Sequence, residues 1–159
     1  MRLILTAIGR ARSGPIKTLF DDYSDRVDKA GPLLGFRSFK LHEIAESRAR
    51  TTSERISQEA DFLLDAIGSD QTLVLDEHGE NLRSADFADW LARLRDDGCP
   101  ALNILIGGPD GLDDKIRAHA SRKIAFGRAT WPHMLVRAMF VEQIYRALTI
   151  LGRHPYHRE

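Results

Sequence analysis

The chain has 159 residues, 43% of them hydrophobic, enough to bury a sizeable core within one domain. Its 23 basic and 23 acidic residues cancel, so net charge gives no prediction of nucleic-acid binding, and the single Cys99 excludes an internal disulfide framework and a Cys-rich zinc site. No run approaches the roughly 18 apolar residues of a membrane helix, and the apolar start leads into charged sequence without a cleavage pattern, so a soluble cytoplasmic protein is expected.

Charge is nonetheless unevenly placed. Residues 1–60 carry 11 basic and 8 acidic groups, residues 61–118 carry 5 and 13, and residues 119–159 carry 7 and 2. Two basic ends around an acidic middle permit a local positive face on a neutral protein.

In chain order, residues 2–8 read as a first strand and Gly9 to Gly14 as a basic loop with Arg10 and Arg12. Pro15 opens a helix in which Ile16, Leu19, Phe20, Tyr23 and Val27 recur at helical intervals, ending near Gly31 and Pro32. Leu33 to Leu41 reads as a second strand with Phe36 and Phe39 as packing residues. His42 to Thr52, with Arg48 and Arg50, reads as a polar excursion over a substrate surface or as a mobile surface loop. Ser53 followed by Ile56, Ala60, Leu63, Leu64 and Ile67 predicts a helix ending near Gly68.

Gln71 to Asp76 predicts a short strand, with Glu77 to Asn81 as the loop after it. Ser84 is a candidate cap for a helix through Phe87, Trp90, Leu91 and Leu94. Leu102 to Ile106 is an apolar run that reads as a buried strand beginning near a packed Cys99. Gly107, Gly108 and Gly111 then allow a turn where backbone can approach a ligand. Leu112 to Ala120 reads as a polar helix, Lys123 to Phe126 as a strand, and about Leu135 to Leu151 as a long helix with a broad apolar surface, packed internally or in a dimer. Alternating strands and helices predict an α/β sheet covered by helices.

The chemistry-bearing residues are less explicit. The glycine turn lacks a following Lys-Ser/Thr pair and has no Gly-x-Gly-x-x-Gly spacing, so a phosphate cradle is poorly supported. Asp76, Glu77 and His78 cluster, and His154 and His157 are three apart, but neither pattern is a zinc motif, and no metal is expected. There is no Gly-x-Ser-x-Gly nucleophile elbow. Glu142 and Arg146, four apart on a helix, read as an ion pair or as a means of aiming Arg146 at an RNA backbone. The terminal Arg153 to Glu159 concentrates groups that contact phosphates, stack on bases and shuttle protons near neutral pH.

Three segments in this order, Ile106 to Gly111 (Ile-Gly-Gly-Pro-Asp-Gly), Pro132 to Arg137 (Pro-His-Met-Leu-Val-Arg) and His154 to Glu159 (His-Pro-Tyr-His-Arg-Glu), resemble the RlmH family of SPOUT-class methyltransferases. The resemblance extends over the whole chain. It implies a SPOUT-type α/β knot, a parallel-rich sheet covered by helices with a C-terminal trefoil knot. It also implies one domain over residues 1–159, with an active-site tail at 152–159, working as a homodimer. The family methylates N3 of a pseudouridine in 23S rRNA, using S-adenosyl-L-methionine and the assembled ribosome as substrate. Neither a membrane nor a DNA partner is expected.

Carried over residue by residue, the resemblance places the cofactor between Leu75, Gly107, Gly108 and the segment Phe126, Gly127, Arg128, Ala129, Thr130, Trp131 and Pro132. It places Tyr156, His157 and Arg158 of the tail at the reaction, together with Arg146. His157 is the candidate base or proton relay, Arg146 or Arg158 the alternative aid to ionising the imide, and Tyr156 and His133 the residues that orient the base. Two alternatives remain at this point: a non-catalytic ribosome-binding protein retaining the fold, and a small-molecule or phosphate-dependent enzyme.

Overall fold

In the computed structural model, which describes residues 1–68 and 71–156, five parallel strands form one sheet in the order β2-β1-β4-β3-β5. The strands are β1 (Arg2–Ile8), β2 (Ser38–Ile44), β3 (Gln71–Glu80), β4 (Ala101–Ile106) and β5 (Arg122–Ile124). The helices are α1 (Pro15–Ala30), α2 (Thr52–Ala66), α3 (Ser84–Asp96), α4 (Asp114–His119) and α5 (His133–Leu151). All six residues of β4 are buried, as a parallel strand covered on both faces requires.

The period of two along the strands divides the core. Leu3, Leu5, Leu73, Leu102, Ile104 and Ile106 face α1, α3 and α5, where α5 packs on both α1 and α3. Ile8, Val74 and Leu105 face the other way, against Ala60 and Leu63 of α2 and Ile116 of α4. Among the described residues no helix is long and apolar enough to cross a membrane.

Several boundaries differ from the sequence reading. The second strand starts at Ser38 rather than Leu33, because Pro32–Leu34 forms a 3-10 turn closed by Gly35 at φ 82°; Phe36 and Phe39 are buried all the same. His42 belongs to this strand, not to the excursion after it. Thr51, not Ser53, caps α2 through a reciprocal capping box with Glu54. Ser84 is the first residue of α3 and does not cap it; its hydroxyl donates to Gln143 Oε1 on α5 at 2.9 Å. Cys99 is half-buried and lies before β4.

The largest difference is β3, which runs to Glu80 through residues read as a loop. Its register shifts between Leu75 and Glu80, so that both residues pair with Ile124 of β5. Gly79 makes this possible: a Cβ there would lie 2.6 Å from the Ile124 backbone.

Candidate functional site

Parallel strands present all their carboxyl ends at one edge, where open α/β sheets place their ligands. At that edge a cavity of about 630 Å³ opens between the ends of β3 and β4 and the segment joining β5 to α5. Leu75, Gly107, Gly108, Phe126, Gly127, Ala129, Thr130, Trp131 and Pro132 all line it. Arg128 does not; it is exposed outside the lining. Leu75, Ile106, Ile124 and Val136 supply apolar wall, while Asp76 and Glu77 supply carboxylates.

The glycine turn is held from behind. A Cβ at Gly107 would lie 2.9 Å from the Gly111 carbonyl oxygen, and Gly111 itself sits at φ 94°, so the turn closes only with glycine at both positions. Behind Gly108 lies Glu59 of α2, 4% exposed; a Cβ on Gly108 would meet its Oε2 at 2.7 Å. Glu59 Oε1 accepts from the Ser47 N–H at 2.9 Å, and burial pushes the carboxyl above its usual range. Arg55, one turn earlier on α2, donates to both carboxylate oxygens of Asp110 in the turn.

The opposite wall hangs on the extended β3. The Ala125 N–H donates to Glu80 O at 2.9 Å, the Gly127 N–H to Asn81 Oδ1 at 2.7 Å, and the Thr130 hydroxyl to Glu77 Oε2 at 3.3 Å. Trp131 folds back over its own segment, its indole N–H donating to Phe126 O at 3.0 Å. Asp76 accepts from the His78 N–H and from Arg117. Burial alone would raise its carboxyl, but those bonds outweigh it and hold the group below its ordinary value. Asp76 is thereby committed to structure. Among the described residues, no three His, Cys, Asp or Glu side chains group as metal ligands.

His133, at the start of α5, lines the cavity with a buried Nε2 that has no hydrogen-bond partner among the described residues. Burial, then the nearby Arg137, lower its pKa, so the imidazole is neutral near pH 7. One turn later Arg137, 2% exposed, donates to Ile8 O, to Gly9 O at 3.0 Å and to Glu43 Oε1 at 2.9 Å. It ties α5 to the ends of β1 and β2.

Tyr156 and Arg146 lie elsewhere, on the face formed by α1 and α5. The Tyr156 hydroxyl donates to Glu142 Oε1 and is 3.0 Å from the Tyr23 hydroxyl; Arg146 also donates to Glu142 and stacks over the Tyr156 ring at 5.0 Å. Burial and these bonds push the Tyr156 phenol well above its usual pKa. Arg146 and Tyr156 are therefore together, but outside the cavity lining. His157 and Arg158 lie outside the described residues.

Sequence reasoning missed the supports: Arg55, Glu59, Asp110, Arg137 and Tyr23. Two of them leave a trace, since Glu59 sits four before Leu63 on an apolar helical face and Arg137 interrupts an apolar stretch of α5. Arg55 and Asp110 have no such mark, because their pairing joins positions 55 residues apart.

Comparison with known proteins identifies the family. The family described as "Predicted SPOUT methyltransferase" matches residues 1–157. Ribosomal RNA large subunit methyltransferase H of Nitrobacter hamburgensis is 51% identical over 159 residues, covering 99% of each chain. The protein of the same name from Bradyrhizobium sp. strain ORS 278 is 49% identical, covering 99% of this chain and 98% of its own. The crystal structure of tRNA (m1G37) methyltransferase from Aquifex aeolicus aligns with 100% of this chain and 76% of its own at a TM-score of 0.55 and 15% identity, a likeness of fold alone. With the family matched along nearly its whole length and close relatives over the same span, the chain belongs to the RlmH family of SPOUT methyltransferases.

Proposed function

We propose that this protein transfers a methyl group from S-adenosyl-L-methionine to N3 of a pseudouridine in 23S rRNA on the assembled ribosome. The observation that carries the proposal is the cavity at the carboxyl edge of the sheet, in a chain whose relatives are named as large-subunit rRNA methyltransferases. Its size falls in the range of small-molecule sites, roughly 300 to 1,000 Å³. The residues fit the cofactor. Leu75, Phe126 and Val136 offer apolar walls to an adenine ring, the Gly107–Gly108 and Gly127 turns bring backbone close, and the Glu77 carboxylate suits a positively charged ligand.

When bound, that cofactor supplies an electrophilic methyl group on a positively charged sulfur. In this reading Leu75, Gly107, Gly108 and residues 126–132 form its site, with Arg128 contributing main chain. The target imide must lose its N3 proton before or during attack. His157 takes that proton, Arg146 and Arg158 stabilise the negative charge, and Tyr156 and His133 orient the base.

Arg146 lies 13 residues along α5 from His133, roughly 20 Å at the helical rise. We therefore place Arg146 and the tail at the cavity of a second copy, in a homodimer. Ile16 and Leu19, each more than 40% exposed on α1, the helix that packs on α5, support such a face. We propose further that residues 1–159 form a single domain, tail 152–159 included. Its C-terminal part is threaded as a trefoil knot; the return of α5 from the β5 edge to pack on α1 is what supports this. The protein works in the cytoplasm, with the ribosome.

Incubating the protein with methyl-labelled S-adenosyl-L-methionine and either assembled ribosomes or separated subunits, then analysing the nucleosides, tests this reading. Label in N3-methylpseudouridine with assembled ribosomes is expected. Label on another nucleotide, or none, overturns it.

A further inference from the structure

The carboxyl edge of the sheet carries more than the cavity. Loop 9–14 follows β1 and segment 45–51 follows β2, so both emerge at the same edge as the cavity walls. They present Arg10, Arg12, Arg48 and Arg50, all four exposed. Eight other arginines, including Arg55, Arg117 and Arg137, are ion-paired, whereas among the described residues none of these four has an acidic partner. Glu46, the single carboxylate within the two segments, lies beside Gly9, 2.9 Å from where its Cβ would be.

The backbone under these arginines is held in place. Arg137 grips the Ile8 and Gly9 carbonyls, and Glu43 Oε1 accepts from the Ala11 N–H at 2.7 Å. Arg55 Nη1 donates to Ala49 O and Arg50 O, while Glu59 holds the Ser47 N–H. The main chain is thus ordered before any partner arrives, which lowers the ordering cost of binding.

We propose that Arg10, Arg12, Arg48 and Arg50 form a docking surface for the phosphate backbone of RNA flanking the nucleotide presented to the cavity. The inference rests on the rRNA methyltransferase reading and extends it to named contacts. Three features select RNA phosphates over a membrane or a protein. The charge is carried by arginine, whose planar fork matches phosphate oxygens. The other residues of the two segments are Gly, Ala, Ser, Thr and Glu46, with no aromatic or large aliphatic side chain among them to enter a bilayer or anchor a protein interface. The surface also shares its edge with the cavity, where a substrate strand must run.

The test compares the wild type with R10A/R12A/R48A/R50A and with the fourfold Lys variant, measuring ribosome binding by sedimentation across a salt series, methyl transfer, and S-adenosyl-L-methionine affinity. For the Ala variant, the slope of log affinity against log salt should shrink by about three, and KM for ribosomes should rise at least roughly tenfold. kcat at saturating ribosomes and cofactor affinity should stay unchanged, and the Lys variant should recover most of the salt slope. The two double variants, R10A/R12A and R48A/R50A, should each show about half the slope change, which keeps the test decisive if the fourfold change impairs folding. A wild-type slope and KM in the Ala variants would overturn the docking surface while leaving the enzymatic reading intact. Salt-dependent ribosome binding that is lost in the variants, by a wild type that transfers no methyl, would overturn the enzymatic reading and keep the surface.

Discussion

Arg55 and Asp110 form a two-pronged ion pair, Nε to Oδ2 at 2.6 Å and Nη2 to Oδ1 at 3.2 Å, that couples the first turn of α2 to the glycine turn of the cavity. The same guanidinium donates to Ala49 O and Arg50 O, so one side chain joins three segments of the carboxyl edge.

Losing Arg55 frees the turn that carries Gly107 and Gly108. Both partners are 27% exposed, so the pair is partly screened and its loss should change a binding equilibrium only about fivefold. R55A should weaken S-adenosyl-L-methionine binding by about that factor in titration calorimetry. R55K keeps the charge without the fork and should fall between R55A and the wild type.

Gly79 should be as important as any glycine of the turn. Its missing Cβ would sit 2.6 Å from the Ile124 backbone, which has no flexible end to move aside. G79A should cost about 1 to 3 kcal/mol in urea unfolding, as overpacking does, and should also weaken cofactor binding because Ala125 and Gly127 hang on the same stretch. Gly68 has open space around it and no positive φ, so G68A should leave both measurements within about 0.5 kcal/mol of the wild type.

The buried Glu59 makes a pH prediction. Its pKa is raised in the folded state, so between the unfolded and folded values the native protein holds more protons than the unfolded chain. Stability from this group is complete below the ordinary glutamate pKa and is lost as pH rises through the raised folded value. E59Q keeps an acceptor for the Ser47 N–H but does not titrate. Urea midpoints of E59Q and wild type should therefore converge near about pH 4 and separate in favour of E59Q towards about pH 8. Asp76 acts in the opposite sense: its lowered pKa contributes stability above the unfolded value, and that is lost on acidification through the folded one.

Much of this architecture is written locally. The apolar runs of β1 and β4, Pro15 at the head of α1 and the glycines after Ile106 each act within a few residues, and each lies where periodicity predicts. The extension of β3 through Glu77 to Glu80 is polar and reads as loop, because pairing with Ile124, more than 40 residues away, is what makes it a strand. The site divides the same way. Leu75, Gly107, Gly108 and most of residues 126–132, separate in sequence, line one cavity. Arg137 is marked locally only as a charge within an apolar stretch; its role is not legible there, since its partners Ile8, Gly9 and Glu43 lie 94 to 129 positions away. Tyr23 is legible only as a helical core residue; its hydroxyl acquires a role when Tyr156 packs beside it.

That last contact can be separated from simple packing. Tyr23 lies 3.0 Å from the Tyr156 hydroxyl through its own, while its ring meets Tyr145 at 6.0 Å and Arg26 lies over it at 5.3 Å. Y23F keeps the ring contacts and removes only the hydrogen bond, worth about 1 kcal/mol net. If Tyr156 and the tail act on the target base, Y23F should lower single-turnover methyl transfer to ribosomes about threefold to tenfold through misplacement of the tail. Cofactor affinity should change far less, because in the proposed dimer this cluster meets the target base and not the Leu75, Gly107 and 126–132 walls assigned to the cofactor. R146A removes the stacking cation and one partner of Glu142, so it should lower transfer further, again with far less effect on cofactor binding. Equal losses in transfer and cofactor affinity would instead assign Tyr23, Glu142, Arg146 and Tyr156 to packing of α1 on α5.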